Sequence, residues 1–143
     1  MIRHAVVLVA AGLTLAACGA SVSEASALRD WVNQSGYHDT SRALVTDARH
    51  AALALEDGAT SPKELHLVCG VLLYDTESAN ASLPTPDQQA TTLLSTAYTD
   101  FGAGAHQCYD AGANQARRVV ALASLRAGGA AIAEATARIA AAS

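Results

Sequence analysis

Ser61-Pro-Lys-Glu-Leu-His-Leu-Val-Cys-Gly-Val-Leu-Leu-Tyr-Asp-Thr-Glu-Ser-Ala79 carries two helix signals at once. Ser61 followed three residues later by Glu64 is a capping box, and Pro62 stands at the first helical position, where its missing N–H has no partner to lose. Behind it Leu65, Cys69, Leu72, Thr76 and Ala79 recur at spacings of four and three, so a helix places all five on one face. The segment reads as a helix with a single inward stripe, and the same pattern recurs along the chain.

Downstream, Thr85-Pro86-Asp87 opens another helix in the same manner, with the stripe Ala90, Leu94, Ala97, Phe101, Gly104, Cys108 and Ala111. The last helix carries Leu122, Leu125, Gly129, Ile132, Thr136 and Ile139. That regular spacing runs straight through Gly128-Gly129, which favours one continuous helix despite about 1 kcal/mol of cost per Gly; a break there is the alternative. Upstream, a short helix is expected over Ser23–Gln34, with Leu28, Trp31 and Val32 inward and Gly36 ending it. A further helix is expected after Asp39, carrying Leu44, Ala48, Ala51 and Leu55 and stopping at Asp57-Gly58. No strand-like alternation stands out. Stripes that average 3.5 residues belong to left-handed packing at roughly +20°. The expectation is therefore all-α: over residues 24–143, an antiparallel four-helix-type bundle with a short extra N-terminal helix.

Composition agrees and narrows the function. About half of the 143 residues are hydrophobic and about a quarter are Ala, the strongest helix former. The formal charge of −4 provides no basic field for nucleic acid. Seams built from Ala, Gly and Thr as often as Leu bury modest apolar area, so the core needs help from another source.

The N-terminus reads as an address. Arg3 precedes the apolar or small run Ala5–Ala17, and Cys18 follows. Thirteen residues make roughly 20 Å of helix, short of a hydrocarbon core of about 30 Å, so residues 1–17 read as a signal peptide. Leu15-Ala16-Ala17-Cys18 is similar to the lipobox of bacterial lipoproteins, whose Cys is diacylglycerylated and becomes the new N-terminus. An ordinary secretory signal with a chance Cys is the plainer alternative. With lipidation, residues 18–23 become a short tether, and acyl chains on Cys18 anchor the body to a membrane. Loss of Arg3 leaves 8 of the 9 basic residues against 13 acidic ones, a charge of −5, which disfavours binding of anionic headgroups.

With Cys18 acylated, Cys69 and Cys108 remain as a pair in an oxidising compartment, both on core stripes, and a disulfide between them is expected. Bridging them requires the connection Ala79–Thr85 to climb about 20 Å along the bundle as near-extended chain, which the two prolines favour. A break in the fourth helix at Gly102-Ala-Gly104 would serve instead.

Candidate chemistry is sparse. His66, Cys69, His106 and Cys108 invite a metal reading, but His106 lies about 200° round the helix from Cys108, and oxidised cysteines do not ligate. No metal or cofactor is expected. Asp75 and Glu77 lie two apart, on opposite sides of a helix, and read as surface charges rather than an acid/base pair. Glu56-Asp57 belongs to a helix end, no Gly-x-Ser-x-Gly elbow is present, and Gly102-Ala-Gly104 lacks the strand a nucleotide loop needs. No catalytic residue is assigned. Arg117-Arg118 reads as surface, with an acidic partner as the alternative. Trp31, Tyr98 and Phe101 could line a pocket for a lipid or small amphiphile, against the plainer reading that such aromatics fill gaps in an Ala-rich seam.

On Leu15-Ala16-Ala17-Cys18, the Cys69/Cys108 pair and the stretch Ala81-Ser-Leu-Pro-Thr-Pro-Asp87 leading to Ala97-Tyr98, the chain resembles small Ala-rich lipoproteins of high-GC Gram-positive bacteria, mycobacteria and their relatives. The resemblance implies the extracytoplasmic face of the cell membrane and transfers no catalytic residue. The functional expectation is a non-enzymatic, membrane-anchored interaction or accessory module with an envelope protein partner. The alternative is a carrier that binds a lipid or small apolar ligand inside the bundle.

Overall fold

A computed structural model describes residues 23–143, all of whose regular elements are helices: α1 Glu24–Gln34, α2 Tyr37–Glu56, α3 Pro62–Asn80, α4 Gln88–Tyr109 and α5 Gln115–Ala142. The signal-like segment, Cys18 and the tether before Ser23 lie outside the described residues. Four long helices pack α2–α3–α4–α5 in a ring, with α4 against α5 the broadest contact and α2 against α5 a narrower one. The short α1 touches α2 and α5.

Local chemistry sets the helix starts. Ser61 accepts a hydrogen bond from the Glu64 backbone N–H, Asp87 from Ala90 and Asn114 from Arg117, each satisfying a donor that has no partner inside its helix. Ser23 does the same for Ser26 at the start of α1. Two starts differ from expectation. The α2 helix begins at Tyr37 rather than after Asp39, because Gly36 takes the left-handed conformation (φ 64°) and turns the chain directly from α1 into α2. The α4 helix begins at Gln88, with Asp87 outside it as the cap.

The stripes of α3 and α4 fall as the spacing predicts. Leu65, Cys69, Leu72, Thr76 and Ala79 are all buried, and so are Ala90, Leu94, Ala97, Phe101, Gly104, Cys108 and Ala111. The two cysteines stand as a disulfide with Cα atoms 5.9 Å apart, within the ordinary range for such a bridge. Gly102-Ala-Gly104 does not break α4. Instead of running extended from Ala79, the α3–α4 connection begins with turn hydrogen bonds from Ala81, Ser82 and Leu83 back to Glu77, Ala79 and Asn80.

The α5 helix is continuous through Gly128-Gly129, but its inward face is rotated from the expected one. The buried line runs Arg118, Ala121, Leu125, Gly128, Ile132, Ala135 and Ile139, while Leu122 and Gly129 are only half-buried and Thr136 is exposed. Close approach decides this phase. A Cβ on Gly128 would lie 2.7 Å from the Phe101 ring, and one on Gly104 2.6 Å from Leu125. Only glycine at both positions lets α4 and α5 interlock so tightly. By length and composition α5 is long and apolar enough to cross a membrane, the one such helix among the described residues, yet its buried line packs it into the bundle.

Candidate functional site

Both ends of the bundle are fastened by buried charge. At the end formed by the α2–α3 and α4–α5 connections, Arg118 is 3% exposed and donates to four backbone carbonyls: Gly112, Leu55, Asp57 and Thr60, at 2.8–3.3 Å. One guanidinium thus knits two connections, and its fork of donors suits four acceptors that no lysine would reach together. This corrects the reading of Arg117-Arg118 as a surface pair. Arg117 is exposed and donates to the Asp110 carbonyl, whereas Arg118 stands in phase with the α5 core.

At the opposite end, Asp87 is 2% exposed and pairs with Arg138, whose Nε lies 3.1 Å from Oδ2. The Arg138 hydrogen bonds, together with the Ala90 N–H, hold the Asp87 carboxyl below its ordinary pKa. Around the same end sit Trp31, whose ring N–H donates to the Ser82 carbonyl at 3.0 Å, and Tyr37, whose hydroxyl meets Thr136 at 2.9 Å. The two rings lie 5.5 Å apart, so α1 is seated by aromatic contact and the Trp31 hydrogen bond, while Tyr37 ties α2 to α5. Burial raises the pKa of both Tyr37 and Tyr98.

The aromatics singled out from the sequence do not share a cavity. Trp31 is half-buried against Tyr37, and Phe101 is fully buried against Gly128. Tyr98 borders a surface cleft with Thr76, Gly102 and His106, separate from the one Phe101 touches. Of the histidines near the disulfide, His66 is exposed and stacks on Tyr109, ring centroids 4.2 Å apart, and His106 is exposed. Among the described residues no group of three or more His, Cys, Asp or Glu is placed to hold a metal ion. Asp75 faces Asp47 of α2; burial and the neighbouring Asp75 raise the Asp47 pKa.

A groove runs between α2 and α5. Three clefts run end to end along it, with volumes of about 380, 550 and 180 Å³. The first and second share His38 and Thr136, and the second and third share Val45 and Gly129. The floor is apolar and small: Val45, Ala48, Ala52, Gly129, Ile132 and Ala133. Arg29, Arg42, Arg49, Arg126 and His38 line it, and among the described residues no Asp or Glu does.

Tyr37, Arg138 and the groove were not read from the sequence, and Arg118 was read there as surface. Arg118 had a signal, because counting 118, 121, 125, 128, 132, 135 and 139 gives spacings as regular as the line expected. Arg138 had none, since its partner is 51 residues away. The chain matches no protein-family model, no curated protein and no solved structure.

Proposed function

We propose that this chain is a cell-envelope lipoprotein, of the small Ala-rich actinobacterial kind it resembles, held to the extracytoplasmic face of the membrane by acyl chains on Cys18 and acting as a non-enzymatic interaction module. The observation that carries this reading is Leu15-Ala16-Ala17-Cys18 set behind Arg3 and the apolar run Ala5–Ala17. The compact fold supports it: α1 starts at Glu24, six residues after Cys18, so the body would sit close to the bilayer. A disulfide in the core, Cys69–Cys108, suits an oxidising compartment. The lipid-carrier alternative draws no support from Trp31, Tyr98 and Phe101, because Phe101 already fills the space opposite Gly128.

The reading is tested by partitioning the expressed full chain between detergent and aqueous phases. The native chain is expected in the detergent phase and a Cys18→Ser variant, unable to form the thioether, in the aqueous phase or unprocessed. Native chain in the aqueous phase, or a Cys18→Ser variant that behaves identically to it, contradicts the anchor.

A further inference from the structure

We propose that the α2–α5 groove is the docking site for the outward face of α3 from a second copy of this chain. The inference rests on the interaction-module reading and gives that module its partner.

The groove is an unusual place on an acidic protein. Four of the nine Lys and Arg residues, Arg29, Arg42, Arg49 and Arg126, line it, together with His38. Two of these cations hold exposed partners at the margin: Arg42 with Asp39 at 3.4 Å and Arg126 with Glu56 at 3.1 Å. Arg29 donates to the Ser143 carbonyl, and Arg49 has no hydrogen-bond or ion-pair partner among the described residues. Exposed pairs of this sort are worth little and exchange readily. The apolar floor between the cations stays open because α2 and α5 pack less broadly than α4 and α5.

The α3 helix presents the complementary surface. Leu67, Val71 and Tyr74 are 69%, 45% and 71% exposed, and at spacings of four and three they form one stripe opposite the buried Cys69 face. On a helical wheel, Glu64 and Asp75 flank one side of that stripe and Glu77 the other, with Lys63 at its end. A short apolar ridge edged by carboxylates matches an apolar floor edged by guanidinium groups. The ridge also fits within the groove, since Leu67 to Tyr74 rises about 10 Å and the α5 side of the groove from Leu125 to Ala140 about 22 Å. Laying an amphipathic helix into a groove is an established mode of recognition.

Two rival occupants fit less well. An anionic lipid has its charge at one end, whereas these guanidinium groups are spread over the length of the groove, at Arg29 on α1, Arg42 and Arg49 on α2 and Arg126 on α5. A symmetric α3–α3 contact would set the carboxylates flanking the stripe in one copy, Glu64, Asp75 and Glu77, near those of the other. Groove and ridge lie on different faces, so the contact is heterologous and extends copies side by side in rows. Confinement to one membrane plane raises the effective concentration, so a modest contact suffices.

The test places a benzophenone amino acid at Leu67 in the full chain, irradiated in whichever cell fraction holds it. The expected result is an adduct of twice the chain mass whose digest joins α3 to peptides of α2 or α5 lining the groove. Arg42→Glu with Arg49→Glu lowers the adduct at least tenfold, while Arg117→Glu, exposed and outside the groove, leaves it unchanged. All variants keep the parent's helical circular dichroism. Adding an unlabelled chain with an intact groove to the labelled Arg42→Glu, Arg49→Glu chain restores the adduct. Absence of a dimeric adduct, a Leu67-to-Leu67 adduct, an adduct only with another protein, or indifference to the arginine changes overturns the proposal. The mass of the uncrosslinked chain, read from the same sample, reports on the anchor separately, so failure of the anchor and failure of the docking site are distinct results.

Discussion

Adjacent glycines in α5 carry opposite meanings. At Gly128 an added methyl would enter the Phe101 ring at 2.7 Å, a ring fixed by burial on every side, so Gly128→Ala is expected to destabilise by roughly 1–3 kcal/mol. At Gly129 a Cβ meets nothing within 4 Å, and Gly129→Ala is expected to stabilise by up to about 1 kcal/mol through helix propensity. Urea unfolding of the two variants checks both signs in one experiment. Arg118 is the other residue on which much depends. Arg118→Met leaves the carbonyls of Leu55, Asp57, Thr60 and Gly112 without their donor, and a loss of about 3 kcal/mol or more is expected from the same unfolding curves. Asp87 governs the acid limb. Its folded pKa lies below the ordinary 3.8, so the stability it contributes is present above that value and is lost as pH falls through the folded pKa. Asp87→Asn is therefore expected to lower stability at neutral pH and to flatten its decline in acid, as read from thermal melts across pH 2–7. Tyr37 and Tyr98 act at the other extreme: their raised pKa values keep their contribution intact below pH 10 and remove it above.

At the scale of elements, α3 and α4 were legible because their apolar stripes are bounded by cap signals that local chemistry alone fixes. Ser61 and Asp87 cap as their side chains require, and every stripe residue of the two helices is buried. The α5 helix was legible in extent but not in phase. In a stretch so rich in Ala and Gly, hydrophobicity hardly distinguishes one face from the next, and the choice is made by where backbones can approach, at Gly104 and Gly128. A buried Arg on the winning face further disguised it, because three of the four carbonyls that accept its hydrogen bonds, those of Leu55, Asp57 and Thr60, lie 58–63 residues away. Tyr37 was overlooked for a different reason: Gly36 joins α1 to α2 without a loop, placing Tyr37 inside a helix start rather than in a linker. The Cys69–Cys108 bridge follows from stripes that were read correctly. It closes 39 residues of chain separation, so its removal by Cys69→Ala with Cys108→Ala is expected to cost about 4 kcal/mol, measured as a shift in the urea midpoint with no loss of helix content in the folded baseline.

The whole molecule combines a thin, small-residue core with fastenings placed where that core is weakest. A disulfide joins α3 to α4, Arg118 ties the connections at one end, and Asp87 with Arg138 ties α4 to α5 at the other. At the second end α1 is pinned through Trp31 and Tyr37, the end from which the chain leads back toward Cys18. A body of this kind, with an open groove along one side and a ridge on another, suits the tethered binding module we propose, whose anchor is the proposed thioether at Cys18. The most direct measurement is the intact mass of the protein extracted gently from its own membranes and then denatured. The expected mass is that of Cys18–Ser143 plus acyl groups, less two hydrogens for the Cys69–Cys108 bridge. A mass that retains Met1–Ala17, a Cys18 without acyl groups, or two free thiols would contradict it.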